Sequence, residues 1–140
     1  MNKPPIVIGQ SEYIDFPEQG IAKVPARIDT GARTSALWAS NIIEKDGTLH
    51  FCLFGEASPL YNGAVITVDD YELRAVTPSN GITEERYAVL LLVCIAGRTI
   101  RAHFTLADRS TQKYPVLVGR NILRGKFIVD IKRNHVKPSR

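Results

Sequence analysis

Three consecutive residues at the end of an alternating apolar segment have the types and spacing needed for acid–base chemistry: Asp29, Thr30 and Gly31. The preceding segment places apolar residues on one face, as a half-buried strand does: Ala22, Val24, Ala26 and Ile28. We therefore expect Asp29 in a turn, where Thr30 can hydrogen-bond locally and Gly31 offers an unobstructed peptide N–H. A carboxylate held in this way can act as a general acid or base, although the same residue types also form ordinary turns.

A second segment, residues 114–123, could complete such a site. It contains a short apolar strand that ends at Gly119, followed by Arg120, Asn121 and residues that can form one helical turn. We predict a short helix over residues 120–123 and another helical turn after Thr34.

Together these segments resemble the retroviral-type aspartic proteases, or retropepsins, in which an Asp-Thr-Gly-Ala turn is followed by an apolar strand, Gly-Arg-Asn and a short helix. The chain is also similar to the bacterial family labelled ATP-dependent zinc protease, whose members often accompany ATP-grasp ligases that add glutamate to proteins. This second resemblance runs from about Ile21 to Asp130, and these segments carry it: residues 26–37, 106–109, 114–120 and 127–130.

The resemblance implies an all-β fold, a small closed β-barrel of the retropepsin-like acid-protease type with one or two short helices. The strand patterns agree with an all-β fold, since apolar and polar residues alternate over residues 48–54 and residues 87–95 are rich in leucine and β-branched side chains. A turn at Gly97-Arg98 would lead into a return strand. Its alternation predicts one inward set (Ile100, Ala102, Phe104, Leu106) and one outward set (Arg101, His103, Thr105).

Composition indicates one ordinary globular domain. With 140 residues, of which 44% are hydrophobic and 23% charged, the chain can bury a single core. We predict one retropepsin-like domain over residues 1–140, with loose termini at residues 1–5 and 132–140. The longest apolar run, residues 88–96, is too short for a bilayer, and no signal peptide is evident, so we expect a cytoplasmic protein without a membrane segment. Cys52 and Cys94 then suit reduced core thiols.

The chemistry implied by the resemblance requires two carboxylates that share one proton, because two like charges so close cannot both ionise. This chain contains one Asp-Thr-Gly and no Asp-Ser-Gly. A two-fold symmetric homodimer would bring Asp29 against its own copy, and the pair would titrate as a unit. We therefore predict a homodimer.

Retropepsins carry an acidic residue after Asp-Thr-Gly-Ala that pairs with the arginine of Gly-Arg-Asn, whereas Arg33 stands there in this chain and would face Arg120. Arg33, Arg109 and Arg120 belong to segments that line the cleft in the resembling fold, and guanidinium groups bind carboxylates in bidentate fashion. We predict that they bind a peptide or protein substrate with acidic or glutamylated tails. Alternatively, they are solvated or pair with Asp108 and Asp130.

No cofactor or metal ligand is predicted from the residues, and zinc is implied only by the family label. There is no His-Glu-x-x-His motif. His50 and Cys52 share one strand face and could join Cys94 or His103 around zinc, but scattered residues of this kind are more often packed or exposed.

Residues 119–126 differ from a phosphate-binding loop, because five residues separate the two glycines and Phe127 replaces the required Ser or Thr. Any ATP requirement would belong to a partner such as an ATP-grasp ligase. The chain is modestly basic, with 18 Lys and Arg against 14 Asp and Glu. Its basic tail, residues 132–140, could contact phosphates, but no aromatic-rich RNA-reading motif accompanies it, so we do not expect nucleic acid as a partner.

Two loops rich in Gly, Pro, Ser and Asn, residues 55–63 and 77–85, could each cover a cleft. Asp69-Asp70 between them is typical of a hairpin turn. Our interpretation is a peptidase in which Asp29 is the acid–base residue, positioned by Thr30 and Gly31. The alternatives are a catalytically silent peptide-binding partner of a glutamate ligase and, as the family label suggests, a zinc-dependent peptidase.

Overall fold

The computed structural model describes residues 3–137, so Met1, Asn2 and residues 138–140 of the basic tail lie outside the described part. Two short helical segments occur there, a 3-10 turn (Pro17–Gln19) and α1 (Arg120–Leu123). The described chain otherwise forms eleven strands: β1 (Ile6–Ile8), β2 (Ser11–Phe16), β3 (Ile21–Ile28), β4 (Ser35–Lys45), β5 (Thr48–Leu53), β6 (Val65–Val68), β7 (Tyr71–Val76), β8 (Glu84–Ile95), β9 (Arg98–Ala107), β10 (Val116–Val118) and β11 (Phe127–Val129).

Six of these strands close into a barrel in the order β10, β3, β2, β8, β9, β4 and back to β10. The three-residue strand β10 closes it, because β10 pairs in parallel with β3 and antiparallel with β4. Val118 lies opposite Ile28, and Val116 lies opposite both Ala26 and Leu37. The predicted all-β closed barrel is therefore confirmed.

Three smaller sets of strand pairings lie outside the six-stranded barrel. The outer part of β4 forms an antiparallel sheet with β5 and β6, and β7 pairs with the first half of β8. Strands β1 and β11 form a separate parallel pair, in which Val7 lies opposite Ile128. Asp69-Asp70 joins β6 to β7, but these strands do not pair with each other, so the predicted hairpin is wrong.

The core lies inside the barrel and under the β4–β5 hairpin, and its largest fully buried side chains include four phenylalanines: Phe16, Phe51, Phe54 and Phe104. The predicted inward set of β9 is buried. Thr105, expected to point outward, is only 1% exposed, and its hydroxyl donates to the carbonyl of Ser35. The prediction was wrong because this end of β9 lies between β8 and β4.

Two details of the hairpins depart from the sequence pattern. In β3, Val24, Ala26 and Ile28 are buried but Ala22 is exposed, because Lys23 has a positive φ of 57° and the β2–β3 register shifts nearby. The β8–β9 turn was predicted at Gly97 and Arg98, but its two central residues are Ala96 and Gly97. Their φ angles of 50° and 81° are those of a type I′ turn.

The helix predicted over residues 120–123 is present, whereas the helical turn predicted after Thr34 is wrong, since β4 begins at Ser35. Ser35 adopts strand conformation because β4 pairs with β9 from this residue onward. Short helical propensity is easily overridden by such tertiary pairing.

The C-terminal segment, predicted to be loose, lies against β2 in its described part. Gln10 donates its N–H to the carbonyl of Arg133, and the side chain of His135 contacts the buried carboxylate of Glu12. Glu12 also accepts the N–H of Gly9 at 2.8 Å. Residues 133–136 are therefore anchored to the barrel.

Within residues 3–137, no helix combines the length and the apolar character that a membrane crossing requires.

Candidate active site

The Asp29 turn begins where β3 reaches the end of its pairing with β10. The N–H of Asp29 donates to the carbonyl of Val118 at 2.9 Å, which continues the strand pairing into the turn. The N–H of Gly31 donates to Oδ1 of Asp29 at 2.9 Å, and Ala32 donates to the Asp29 carbonyl at 3.2 Å. Asp29 is half-buried, while Thr30 and Gly31 are exposed. The carboxylate thus has a defined orientation at the edge of the barrel, as the sequence predicted.

Helix α1 holds this turn from the other side. The backbone N–H of Arg120 donates to the carbonyl of Ala32 at 2.8 Å, and its guanidinium lies 3.3 Å from the carbonyl oxygens of both Thr30 and Gly31. The N–H of Asn121 donates to the carbonyl of Arg33 at 3.3 Å. These bonds attach the segment that follows Asp29 to the segment that follows β10.

A glycine is needed where the two segments meet. A Cβ atom at Gly119 would lie 2.3 Å from the carbonyl oxygen of Thr34 and 2.9 Å from that of Ala32. Contacts this short do not occur for a real side chain, so any other residue would force the two loops apart. Gly119 therefore allows the close approach on which the bonds from Arg120 and Asn121 depend.

Ser35 connects the same two loops through its buried side chain. Its hydroxyl accepts the N–H of Gly119 at 2.9 Å and donates to Oδ1 of Asn121 at 2.7 Å. Asn121 in turn donates its side-chain amide to the carbonyl of His103 at 3.0 Å, and Thr105 donates to the carbonyl of Ser35. The network thus links β4, β9, β10 and α1 beneath the Asp29 turn.

The three predicted substrate-binding arginines occupy different environments. Arg120 is bonded to the carbonyls of the turn, so its guanidinium has a structural role in this conformation. Arg33 is exposed beside it. None of the three arginines pairs with Asp108 or Asp130. Asp108 accepts the N–H of Ser110, and this hydrogen bond lowers the pKa of Asp108. Asp130 pairs with Arg133.

Arg109 belongs to a cluster of positive charges with Arg27 and Arg86. Its half-buried guanidinium donates to the carbonyl of Tyr114 at 3.0 Å. Burial lowers the pKa of Arg109, and the charges of Arg86 and Arg27 lower it further. Arg86 pairs with Glu84 at 2.5 Å, where the Glu84 side chain is half-exposed. Glu84 pairs with Arg86 alone among the three arginines, so the cluster has an excess of positive charge.

The single chain leaves Asp29 outside its two main cavities. The larger cavity lies over β9, and the smaller one, about 470 Å³, lies between Trp38 and the loop that begins at Gly55. Of the two loops predicted to cover a cleft, residues 77–83 form the tip of the β7–β8 hairpin, and the other joins β5 to β6. Asp29 lines neither of these cavities and lies half-buried at the edge of the barrel.

The residues considered for zinc do not form a site. Between Lys3 and Lys137, no three His, Cys, Asp or Glu side chains are grouped so that they could hold a metal ion. Nδ1 of His50 lies 3.2 Å from the Thr67 hydroxyl, and Sγ of Cys52 lies 3.9 Å from the Gly63 carbonyl. Both cysteines are free thiols. The described residues thus do not fit the zinc of the family label.

Comparison with known proteins supports the retropepsin resemblance. The model of a family described as "RimB-like: Retropepsin-like aspartic endopeptidase RimB" matches residues 7–140. Proteins of Shewanella pealeana and Parasynechococcus marenigrum, each named "Probable alpha-L-glutamate ligase", are 30% identical over 136 and 134 residues, or 93% of this chain. The chain spans only 29% of the length of these relatives.

A solved structure gives the same picture of the fold. The crystal structure of a Legionella pneumophila protein of unknown function has a TM-score of 0.71 and 26% sequence identity to this chain. The match covers 91% of this chain and 95% of the other. The barrel is therefore shared along nearly the whole length of both chains.

Three residues described here were not singled out from the sequence: Ser35, Arg27 and Arg86. Ser35 carries the network below the turn together with Asn121 of the Gly-Arg-Asn motif, and Arg27 and Arg86 join Arg109. A signal existed for Arg27, which lies two residues before Asp29 and therefore projects to the same side of the extended chain. Ser35 and Arg86 gave none, because Gly119 and Asn121 are distant in sequence from Ser35, and Arg27 and Arg109 are distant from Arg86.

We expect Ser35→Ala to lower the free energy of unfolding by about 1–3 kcal/mol, because the buried N–H of Gly119 would lose its acceptor. Urea unfolding would measure the change. Ser79→Ala, in the exposed tip of the β7–β8 hairpin, is the matched control and should change stability by less than about 0.5 kcal/mol. Equal stability of the two variants would contradict the role given to Ser35.

Proposed function

Since the chain belongs to the RimB-like family of retropepsin-like aspartic endopeptidases, we propose that it is an aspartic-type peptidase in which Asp29 is the general acid–base residue. One observation carries this proposal. The Asp29 carboxylate is fixed through Oδ1 by the Gly31 N–H at the edge of a closed barrel. Its Oδ2 has no hydrogen-bond partner among residues 3–137, so this oxygen is free to meet water or a second carboxylate.

The reaction needs a second carboxylate, which a second copy of this chain would supply. One Asp29 carboxylate activates a water molecule, while its protonated twin donates a hydrogen bond to the peptide carbonyl. The position of Asp29 at the edge of the barrel suits this arrangement, because the cleft would form between two barrels. Arg120, bonded to the carbonyls of Thr30 and Gly31, would keep both turns rigid when they meet.

An acidic substrate fits the charge around the site. Among residues 3–137, the one ion pair of the cluster of Arg27, Arg86 and Arg109 is that of Arg86 with Glu84, and Arg33 is exposed next to the turn. Guanidinium groups in such a cluster gain stability when they bind carboxylates. The relatives named as glutamate ligases contain a region like this chain within a longer protein. We therefore propose acidic or glutamylated protein tails as substrate and a glutamate ligase of the ATP-grasp type as partner.

A catalytically silent module is the second candidate. The names of the relatives favour it, since they describe ligases and not peptidases. Such a module would use the same arginines to present an acidic tail to the ligase, and Asp29 would then be only a turn residue. The two candidates differ in turnover alone, so substitution of Asp29 separates them.

We expect Asp29→Asn to reduce peptidase activity by about a hundredfold or more, because it removes the acid–base group. The fold should persist, since the amide oxygen of Asn can still accept the N–H of Gly31. The matched control is Asp15→Asn, which changes another half-buried carboxylate that accepts a backbone N–H, that of Lys23. Activity on a glutamate-rich peptide and circular dichroism would be measured. Full activity of the Asp29 variant would overturn the peptidase proposal.

Subunit mixing tests the need for two copies. When equal amounts of wild-type and Asp29→Asn chains are equilibrated, about half of the wild-type chains enter mixed dimers, so activity per wild-type chain should fall to about half. Sedimentation of the same samples would report the oligomeric state. Unchanged activity per wild-type chain in a strictly monomeric sample would exclude the shared dyad.

Substitution of the arginines tests the acidic substrate. We expect Arg33→Gln and Arg109→Gln each to raise KM for a glutamate-rich peptide about tenfold, as the loss of a charged hydrogen bond would. Lys45→Gln, at the exposed end of β4, removes the same charge elsewhere and should have little effect. If all three variants keep the wild-type KM, these arginines do not bind the substrate.

A further inference from the structure

A second candidate site is a groove on the outer side of β9, and Asp29 is not among the residues that line it. Its volume is about 900 Å³, and it is bounded by β9 on one side and by α1 and the loop before β11 on the other. None of the described residues that line it is acidic. Its polar and charged lining residues, apart from Thr99, are Lys3, Arg98, Arg101, His103, Asn121 and Lys126.

Arg98 belongs to the wall of this groove. Its guanidinium donates to the carbonyls of Lys126 and Pro4 at 2.8 and 3.0 Å and stacks over the ring of Phe127 at 5.8 Å. These contacts tie β9 to β11 and to the segment before β1. The groove is therefore a fixed feature of the fold and not a gap between mobile side chains.

Arg101 remains available to a ligand. Its guanidinium forms an ion pair with the carboxylate of Glu18 at 3.3 Å, and the side chains of Arg101 and Glu18 are 50% and 49% exposed. A pair of this kind contributes little and can be exchanged for another carboxylate. Glu72, the acidic residue near His103, is already bonded to Arg74 at 2.6 Å. The groove thus keeps an excess of positive charge.

The spacing of β9 suits an extended chain. Thr99, Arg101 and His103 alternate along the exposed face of the strand, so neighbouring side chains of this row are about 7 Å apart. Every second side chain of an extended peptide has the same spacing. Lys126 faces this row from the other wall. A run of carboxylates could therefore meet Arg101 on one wall and Lys126 on the other without bending, and the side chains of Thr99 and His103 could supply further hydrogen bonds.

We propose that this groove binds an extended acidic segment of a polypeptide, at a site separate from Asp29. Nucleic acid fits less well, because the described residues that line the groove include no Phe, Tyr or Trp ring on which a base could stack. The site adjoins the catalytic turn through α1, in which Asn121 lines the groove and Arg120 holds the Asp29 turn. The proposal goes beyond the peptidase function, because binding here requires no turnover.

The test is a titration of labelled oligo-glutamate into the full-length Asp29→Asn protein at low salt, followed by fluorescence anisotropy. Arg101→Gln combined with Lys126→Gln should weaken binding about tenfold, as the loss of two exposed charge pairs would. A control with Lys45→Gln and Lys137→Gln removes the same net charge outside the groove and should bind like the parent protein. Thermal unfolding would verify that both variants fold.

Equal affinities of the groove variant and the control would overturn the proposal. So would an oligonucleotide of the same charge that displaces the peptide more effectively than unlabelled oligo-glutamate, which would identify a nucleic-acid site instead. Failure of the peptidase proposal would give a different result, because the wild-type protein would then bind the peptide through the groove but would not cleave it.

Discussion

The structure depends on the closure of the barrel by β10. This strand of three residues lies between β3 and β4, parallel to the first and antiparallel to the second. The carbonyl of Val118 at its end accepts the N–H of Asp29, so the position of the acid follows directly from the closure. Because the chain after β10 must pass close to the carbonyl of Thr34, the next residue has to be glycine. The requirements of closure and of the site thus meet at Gly119.

Closure also buries polar groups, and the way in which they are satisfied defines the site. Ser35, Thr105 and the N–H of Gly119 lie in the interior, where an unpaired polar group is costly. Their mutual bonds, together with those of Asn121, allow one arrangement of the two loops. A fully satisfied network of this kind specifies geometry as well as stability. The rigidity of the Asp29 turn is therefore a property of four elements and not of the tripeptide alone.

Much of the fold could be predicted because its strands carry strong local patterns. The β8–β9 hairpin, the last half of β3 and the helix at residues 120–123 follow from alternation and turn residues. Two failures share one cause, which is tertiary pairing. Thr105 is buried because it lies between β8 and β4, and Ser35 is extended because it pairs with β9. Ala22 differs, since it is displaced by the irregular backbone at Lys23. The Asp29 turn was predictable, whereas the arginine cluster and the Ser35 network join residues that are distant in sequence.

The distribution of positive charge separates structural from recognition roles. Arg120 and Arg98 direct their guanidinium groups at backbone carbonyls, which hold the Asp29 turn and the β11 edge respectively. An arginine that already donates to carbonyls has fewer donors left for a ligand. Within the described residues, Arg109 donates to one carbonyl, that of Tyr114, and Arg101 pairs only with the half-exposed Glu18, so both keep more donors for a ligand than Arg120 and Arg98 do. The family resemblance emphasises Arg120, but on these contacts we propose that the arginines outside the Gly-Arg-Asn motif recognise carboxylates.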